Sequence, residues 1–331
     1  MIDNTTAAPI DLTWEMTHAR DLCCIHCSSS TRGRDPRELS TAECKALIDE
    51  FERMRICRVD IGGGEPTVRP DFWELVDYAT AKHLGVTFST NGIRLTPHAA
   101  RRIAGNSHID VRICLDGATE AVNDAMRGAG AYRAAVRAME LLASSGVYGF
   151  ELSVTVTSQN AGQLDAFKAI ADMFGARLRL ARPTGRVSDE LHPAADQRRM
   201  LDDWLCQHDG DVLTGAFFYR SGYGESPQGS NSERVMCVID PLGDVYSCTD
   251  NNQFHTGNIR AAGGFEPIWR NSELFTEPRS QQVSTAYAEY TEEYGDSALA
   301  GVDRIVASKL SQDSSHRRRP VAEYRAVRRS A

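Results

Sequence analysis

The chain has 331 residues and a formal net charge of −8, and 41% of its residues are hydrophobic. This length suits one large domain with an appendage, or two domains. The acidic balance argues against nucleic-acid binding, and the lack of an apolar run of about 18 residues argues against a membrane span. Since the N-terminus has no basic-then-apolar signal, we expect a cytoplasmic protein whose nine cysteines are thiols or metal ligands.

Short β-branched runs alternate with amphipathic segments over the first half of the chain. The predicted strands cover residues 10–16, 57–61, 85–90, 108–116, 150–157 and 176–181. The predicted helices cover residues 41–54, 71–82, a segment from 97, 131–145 and 163–174, and Ser40 with Glu43 has the spacing of a capping box. Six β-then-α units predict a parallel sheet with helical crossovers.

The pattern changes after about residue 189. Residues 221–234 are rich in glycine and serine, and residues 235–248 alternate around the turn signal PLGD, which predicts a hairpin. A short helix is expected near residues 268–275. The basic stretch at 311–331 is expected to be a solvated tail.

Polar and glycine-rich motifs follow the predicted strands. GGGEPT follows the second strand, NG the third, DG the fourth and RPTGR the sixth. Ligands of parallel α/β folds bind at the carboxyl ends of the strands. The sequence therefore predicts a ligand site at one edge of the sheet.

The loop after the first strand contains Cys23, Cys24 and Cys27, with His26 among them. In order, this loop, GGGEP, STNG and CLDG resemble the radical S-adenosylmethionine (SAM) enzymes, and most closely the mycofactocin maturase family, whose members modify peptides. The resemblance implies a partial (β/α)6 TIM-like barrel at residues 10–190, after an N-terminal arm at 1–20. A small degenerate SPASM-like region at 191–310 and the tail at 311–331 would follow.

In that family, three cysteines spaced C-x3-C-x2-C bind a [4Fe–4S] cluster that chelates SAM. The resemblance places Arg20 at the first of these positions, and arginine has no lone pair for a metal. We therefore expect SAM as a cofactor, but an unlikely [4Fe–4S] cluster and no favoured metal ligands. If a cluster forms, its ligands are expected to be Cys23, Cys24 and Cys27, although neighbouring side chains of an extended segment diverge.

The C-terminal region also has fewer cysteines than the family pattern. After Cys237 and Cys248 the sequence has no further cysteine, whereas the family has a dense cysteine block there. Because two thiolates cannot complete a four-ligand cluster, we expect the auxiliary clusters to be lost.

The resemblance implies a SAM pocket distributed over several strand ends. Arg20 is a hypothetical partner of the methionyl carboxylate, and Glu65, Asp116 and His26 are the candidate catalytic acid–base residues, with Asp60 a less secure one. The remaining residues that we expect to bind SAM are Gly63, Gly64, Glu65, Pro66, Ser89, Asn91, Arg127, Ser153 and Arg179.

Three functions remain open at this point. The favoured one is a cluster-free SAM enzyme that uses polar chemistry, such as group transfer or SAM cleavage, on a small molecule or peptide. The second is a true radical SAM peptide-modifying enzyme with a non-standard cluster. The third is a non-catalytic protein that binds SAM or a peptide, or that supports a partner protein.

Overall fold

The computed structural model describes residues 12–27, 33–183, 188–208, 210–214, 236–249, 252–272 and 275. The strands in these residues form one ten-stranded sheet. They are β1 (Leu12–Thr17), β2 (Arg58–Gly63), β3 (Gly85–Thr90), β4 (Ile109–Cys114), β5 (Glu151–Thr155), β6 (Arg177–Ala181), β7 (Val212–Thr214), β8 (Met236–Ile239), β9 (Asp244–Thr249) and β10 (Asn252–Asn258).

Helices connect most of these strands. They are α1 (Thr41–Arg53), α2 (Phe72–Ala81), α3 (Pro97–Ala104), α4 (Glu120–Arg127), α5 (Ala131–Ser144), α6 (Leu164–Phe174), α7 (Ala195–Gln207), α8 (Ile259–Ala262) and α9 (Phe265–Asn271). At the start of α1, the Ser40 side chain accepts from the Glu43 amide, and the Glu43 carboxylate accepts from the Ser40 amide at 2.8 Å. The predicted capping box is confirmed.

The strand order is β10-β9-β8-β1-β2-β3-β4-β5-β6-β7. Strands β1 to β7 run parallel, and β8 is parallel to β1, while β9 and β10 add an antiparallel hairpin. The predicted α/β class with a mostly parallel sheet is confirmed. Parallel pairing aligns the carboxyl ends of β1 to β6 along one edge, where the motif-bearing loops emerge.

Alternate strand residues build an apolar core beneath the helices. Trp14 of β1 meets Phe51 of α1 edge-on at 6.1 Å between ring centroids, and Phe51 meets Phe265 of α9 at 5.9 Å. All three rings are buried. Such aromatic contacts add to the free energy gained by burial. Helix α1 therefore packs both against β1, near the start of the described chain, and against α9, near its end.

Some elements differ from the sequence predictions. Helices α4 and α8 and strand β7 were not predicted because they are short. Helix α7, which has thirteen residues, and strand β10 were missed although they are long enough to be recognised. The predicted hairpin is present as β8 and β9, and the helix near 268–275 begins earlier, at Phe265, and ends at Asn271. Strand pairing continues across residue 190, because β7 pairs with β6. The domain boundary expected at residue 190 stays a prediction.

Several expectations lie outside the described residues. They concern most of the N-terminal arm, the loop at 221–234, the region where the auxiliary cysteine block was expected and the tail at 311–331. Within the described residues, no helix has both the length and the hydropathy to cross a membrane.

Candidate functional site

The loops after β1 and β2 touch through their backbones. The Gly64 amide donates to the Thr17 carbonyl at 2.7 Å, and the Glu65 amide donates to the Ala19 carbonyl at 2.8 Å. A Cβ atom on Gly64 would lie 2.0 Å from the Ala19 carbonyl oxygen. Glycine is therefore required here because the backbone that leads into the cysteine loop leaves no room for a side chain.

Glu65 ties the second loop to the end of β3. Its buried carboxylate accepts from the Thr90 hydroxyl at 2.7 Å, the Asn91 amide at 2.9 Å and the Thr67 amide at 3.3 Å. Burial raises the pKa of Glu65, while these hydrogen bonds act in the opposite direction. The geometry favours a positioning role for this carboxylate, and its catalytic role stays a prediction.

Asn91 connects β3 to the cysteine loop. Its Nδ2 donates to Oδ1 of Asp21 at 2.7 Å, and its Oδ1 accepts from the Ile93 amide at 2.9 Å. Sequence reasoning did not single out Asp21 or Thr90. Thr90 lies within the STNG motif, but its role depends on Glu65, 25 residues away, and Asp21 lies in no motif and meets a partner 70 residues away.

Asp116 is the most enclosed charge of the site, with its side chain 1% exposed. It is ion-paired with Arg127, accepts from the Thr155 amide at 2.7 Å and lies 3.2 Å from Nε2 of His26. Burial opposes ionisation, but Arg127 and His26 prevail and lower the pKa of Asp116 to about 2. Asp116 is therefore a carboxylate at neutral pH.

The cysteine loop, residues 20–27, turns so that its donors converge. The Cys27 amide donates to the Cys24 carbonyl at 3.2 Å, and the Ile25 amide donates to the Met126 carbonyl of α4 at 2.9 Å. One ligand atom each from Cys24, His26 and Cys27 lies within 4.8 Å of the other two. Three metal-binding side chains thus meet at the carboxyl edge of the sheet.

Cys27 is the more acidic of the two thiols. A hydrogen bond from Cys24, together with the nearby charges of Arg20, His26 and Arg127, lowers the pKa of Cys27 to about 6 against the opposing effect of burial. The same hydrogen bond and burial raise the pKa of Cys24. Cys27 is therefore a thiolate at neutral pH, the form that binds metals.

Arg20 contacts both motifs. Its Nη1 donates to Sγ of Cys27 at 3.1 Å and its Nη2 donates to the Gly63 carbonyl at 3.1 Å. Beside it, a cavity of about 260 Å³ is lined by Arg20, Asp21, Leu22, Cys23, Arg127 and Gly128. The suggested contact between Arg20 and a methionyl carboxylate stays a prediction.

The other predicted SAM residues divide into two groups. Pro66 opens a short helical turn (Pro66–Val68) directly after the glycines, whereas Ser89 and Ser153 lie on β3 and β5 and are partly exposed. Arg179 of β6 lies 3.6 Å from Glu151, which also pairs with Arg112 at 2.7 Å. Arg112 in turn lies 3.1 Å from Asp60, so Asp60 and Arg179 belong to an ion-pair network of their own.

Comparison with known proteins identifies the family. The model of the radical SAM superfamily matches residues 18–167. The chain is 53% identical to mycofactocin maturase MftC of Mycolicibacterium smegmatis over 85% of this chain and 75% of that protein. It is 52% identical to MftC of Mycobacterium tuberculosis over 84% and 75%.

Solved structures share the fold. Streptococcus suis SuiB bound to its precursor peptide SuiA matches with a TM-score of 0.64 and 16% identity, over 83% of this chain and 67% of that one. SuiB bound to S-adenosylmethionine matches with a TM-score of 0.64 and 15% identity, over 83% and 68%. At these identities the likeness establishes the fold alone.

Two expectations are corrected. The expected absence of a [4Fe–4S] cluster and the favoured polar chemistry are wrong, because the relatives that match most of the chain are radical SAM maturases and the loop gathers Cys24, His26 and Cys27. The error came from requiring a cysteine at position 20 and from giving too little weight to Cys23 and to the donors that folding brings together. The chain belongs to the mycofactocin maturase family of the radical SAM superfamily.

Proposed function

We propose that this chain is a radical SAM enzyme that modifies a precursor peptide, using SAM and a [4Fe–4S] cluster bound by its cysteine loop. The observation that carries the proposal is 53% identity to a mycofactocin maturase over 85% of the chain. The peptide substrate is supported by that relative's name and by the precursor peptide bound to SuiB, which has the same fold.

The loop's chemistry fits an iron–sulfur cluster. Cluster iron prefers thiolates, and Cys27 is ionised at neutral pH with Cys24 hydrogen-bonded to it. Cys23 and His26 are the side chains of the same loop that offer a third donor. When bound by the cysteine loop, the cluster would supply one-electron reduction to SAM held beside it, the chemistry that begins a radical reaction on the substrate.

The residues around the loop are suited to hold SAM. The Gly63–Gly64 backbone lies beside the loop without side chains, and Glu65 presents an oxygen, Oε2, whose described partner is the Asn91 amide. A carboxylate in this position attracts an ammonium group such as that of methionine. Arg20 and Arg127 contribute positive charge to the cavity wall, which favours the methionyl carboxylate.

The test is anaerobic reconstitution of the full chain with iron and sulfide, followed by reduction in the presence of SAM. Iron per chain and 5′-deoxyadenosine are measured for the parent, for the double variant Cys24→Ala/Cys27→Ala and for Cys57→Ala. Cys57 is an exposed cysteine next to β2, which makes it a matched control.

We expect a brown parent protein that releases deoxyadenosine, a control that behaves like it and a double variant that does neither. A parent with no more iron than the double variant would refute the proposal. If the parent binds SAM in calorimetry but neither holds iron nor releases deoxyadenosine, the chain is a binding protein and the proposed enzyme function is wrong.

A further inference from the structure

The helices that connect β1 to β6 lie on one face of the sheet. These strands are parallel and are neighbours in chain order, and because crossovers between parallel strands are right-handed, all of them fall on the same side. On that side Val111, Ile113, Leu178 and Leu180 belong to the core. The residues that alternate with them point to the other side of the sheet, its open face.

The open face is polar along β2 to β6. None of the side chains on it in these strands is a large apolar one, whereas the inward face of a closed TIM barrel is filled by bulky branched residues. From β4, Arg112 crosses over β3, so that its Nη1 lies 3.1 Å from Oδ2 of Asp60 on β2. Its Nε donates to Glu151 on β5 at 2.7 Å. These side chains are partly exposed, which suits a face that binds a polar ligand.

The charges of this ion-pair network do not balance. The Glu151 carboxylate lies 2.7 Å from Arg112, 3.5 Å from Arg177 and 3.6 Å from Arg179. Asp60, which pairs with Arg112, adds the second carboxylate. Three guanidinium groups therefore share two carboxylates, and one positive charge is left to attract an anion.

Arg179 is the least satisfied of the three cations. Its side chain is 22% exposed, its distance of 3.6 Å from Glu151 is too long for a hydrogen bond, and it donates to no residue that the structure describes. Arg177, in contrast, is 46% exposed and donates to the Gly149 carbonyl at 3.2 Å. Burial and the charge of Arg112 lower the pKa of Arg179, but an arginine stays protonated at neutral pH. Arg179 thus presents unused N–H donors on a partly desolvated positive charge.

The strand register places Arg179 just below the candidate site. Arg179 lies opposite Ser153 of β5, which lies opposite Cys114 at the end of β4. Asp116 follows Cys114 by two residues, so the level of Arg179 is about 7 Å below that of Asp116 along the strands. A ligand group held by Arg179 would therefore lie within a few residues' length of the carboxyl edge of the sheet.

We propose that Arg179 binds a carboxylate of the precursor peptide on the open face and thereby determines which part of the peptide lies beside the SAM site. The inference rests on the proposed function, from which the peptide comes. The planar fork of arginine matches a carboxylate with two parallel hydrogen bonds, and the carboxylate supplies the negative charge that the network lacks. Arg112 is already held by Asp60 and Glu151, which leaves this role to Arg179. The carboxylate is either the C-terminus of the peptide or an acidic side chain.

The experiment is a double-mutant cycle between protein and peptide. The probe is a synthetic precursor peptide of the M. smegmatis maturase in three forms: unmodified, amidated at its C-terminus, and with every Asp and Glu replaced by Asn and Gln. Calorimetry on the full chain, reconstituted with iron and sulfide and supplied with SAM, measures the Kd of each form for the parent, Arg179→Gln and Arg177→Gln. Arg177 is the matched control, because it lies on the same strand and face and also pairs with Glu151. The Kd of SAM and the deoxyadenosine released without peptide are measured on the same samples.

We expect Arg179→Gln to weaken binding of the unmodified peptide about 10–100-fold, the size of a lost charge-assisted hydrogen bond. One of the two altered peptides should lose the same factor with the parent and lose nothing further with Arg179→Gln, because the contact is then already absent. That peptide identifies the source of the carboxylate. Arg177→Gln should stay within about threefold of the parent, as expected for an exposed ion pair.

Equal Kd values of the three peptides for the parent, no binding of any of them, or losses that add in the cycle would overturn the inference. Additive losses together with weaker SAM binding in Arg179→Gln would assign Arg179 to the methionyl carboxylate. In each of these cases iron and deoxyadenosine release in the parent would leave the radical enzyme function intact. A parent without iron that shows the non-additive cycle would refute that function and uphold the inference. Because the peptide forms are first compared on the parent, the result does not depend on whether a variant folds.

Discussion

The cysteine loop and the strand-end network of Glu65, Asn91 and Asp116 are neighbours, but their polar atoms are satisfied to different degrees. Glu65 and Asp116 are buried carboxylates that accept hydrogen bonds from adjacent strands. In the loop, Nδ1 of His26 and Nε of Arg20 are buried without a partner. Nε of Arg127, the ionic partner of Asp116, is also buried without a partner, so the unsatisfied atoms lie in the loop and on the cation next to it, whereas the two carboxylates are hydrogen-bonded. Such a distribution is expected where a ligand binds beside a preformed support.

The first and largest effect should come from Cys27→Ala, which removes the thiolate of the loop. We expect at least about a tenfold loss of bound iron, because even changes around metal ligands have effects of that size. The free energy of unfolding of the metal-free protein should fall by only about 1 kcal/mol, since the partly buried side chain loses the hydrogen bond from Arg20 but little packing. Iron analysis and denaturant titration provide the two numbers. An unchanged iron content with a marked loss of stability would mean that Cys27 stabilises the fold and does not bind iron.

Asp116→Ala, unlike Cys27→Ala, should strongly lower the free energy of unfolding of the metal-free protein. It leaves the buried Arg127 without its ionic partner, which typically costs about 3–5 kcal/mol. Denaturant titration of metal-free protein measures the loss. The matched control is Asp110→Ala, which removes a half-exposed carboxylate paired with Arg58 and should cost at most about 1 kcal/mol. An equal loss of unfolding free energy in the two variants would mean that the buried Asp116–Arg127 pair does not stabilise the network.

Acid should weaken the same network over a defined pH range. The pKa of Asp116 is lowered from 3.8 to about 2 in the folded protein, so its contribution is full above pH 3.8 and is lost as the pH falls toward 2. The corresponding free energy is about 2 kcal/mol. The difference in unfolding free energy between the parent and Asp116→Asn should therefore narrow between pH 4 and pH 2. A difference that stays constant over this range would assign the stabilisation to something other than the charge.

Gly64→Ala tests the contact between loop and network, and we expect the smallest effect. The added methyl group would meet the Ala19 carbonyl at 2.0 Å and push the loop away from β2, at a cost of about 1–2 kcal/mol. Gly162→Ala is the control, because a Cβ atom added there would have nothing within 4 Å and the residue needs no positive φ. A thermal melt of each variant measures the difference, and equal melting temperatures would show that the loop adjusts freely.

Much of the sheet was accessible from sequence, because alternation and capping are local signals. The strand at Gly85–Thr90 and the capping box at Ser40 illustrate this. The eight-residue α4 was missed, although its cap Thr119 accepts from the Val122 amide. A segment that short between two turn signals carries too few periodic positions to be recognised.

The site was only partly predictable, for a physical reason. Motif order indicated which strand ends meet, but the His26–Asp116 pair joins residues ninety positions apart, which no spacing rule reveals. The argument that Arg20 cannot bind iron is chemically sound. The conclusion drawn from it was wrong because ligand number depends on what the fold brings together, and Cys24, His26 and Cys27 converge only after the loop turns onto α4.

The pairing of β8 with β1 has a consequence for how the chain can be divided. The segment that matches the superfamily model ends at residue 167, yet the strand that enters the cysteine loop hydrogen-bonds on its other side to residues 237–239. A fragment truncated before β8 would leave β1 as an exposed edge, with open backbone groups ready to pair with another molecule. Expression of residues 12–167, the matched segment extended to include β1, should accordingly give self-association rather than a smaller working unit.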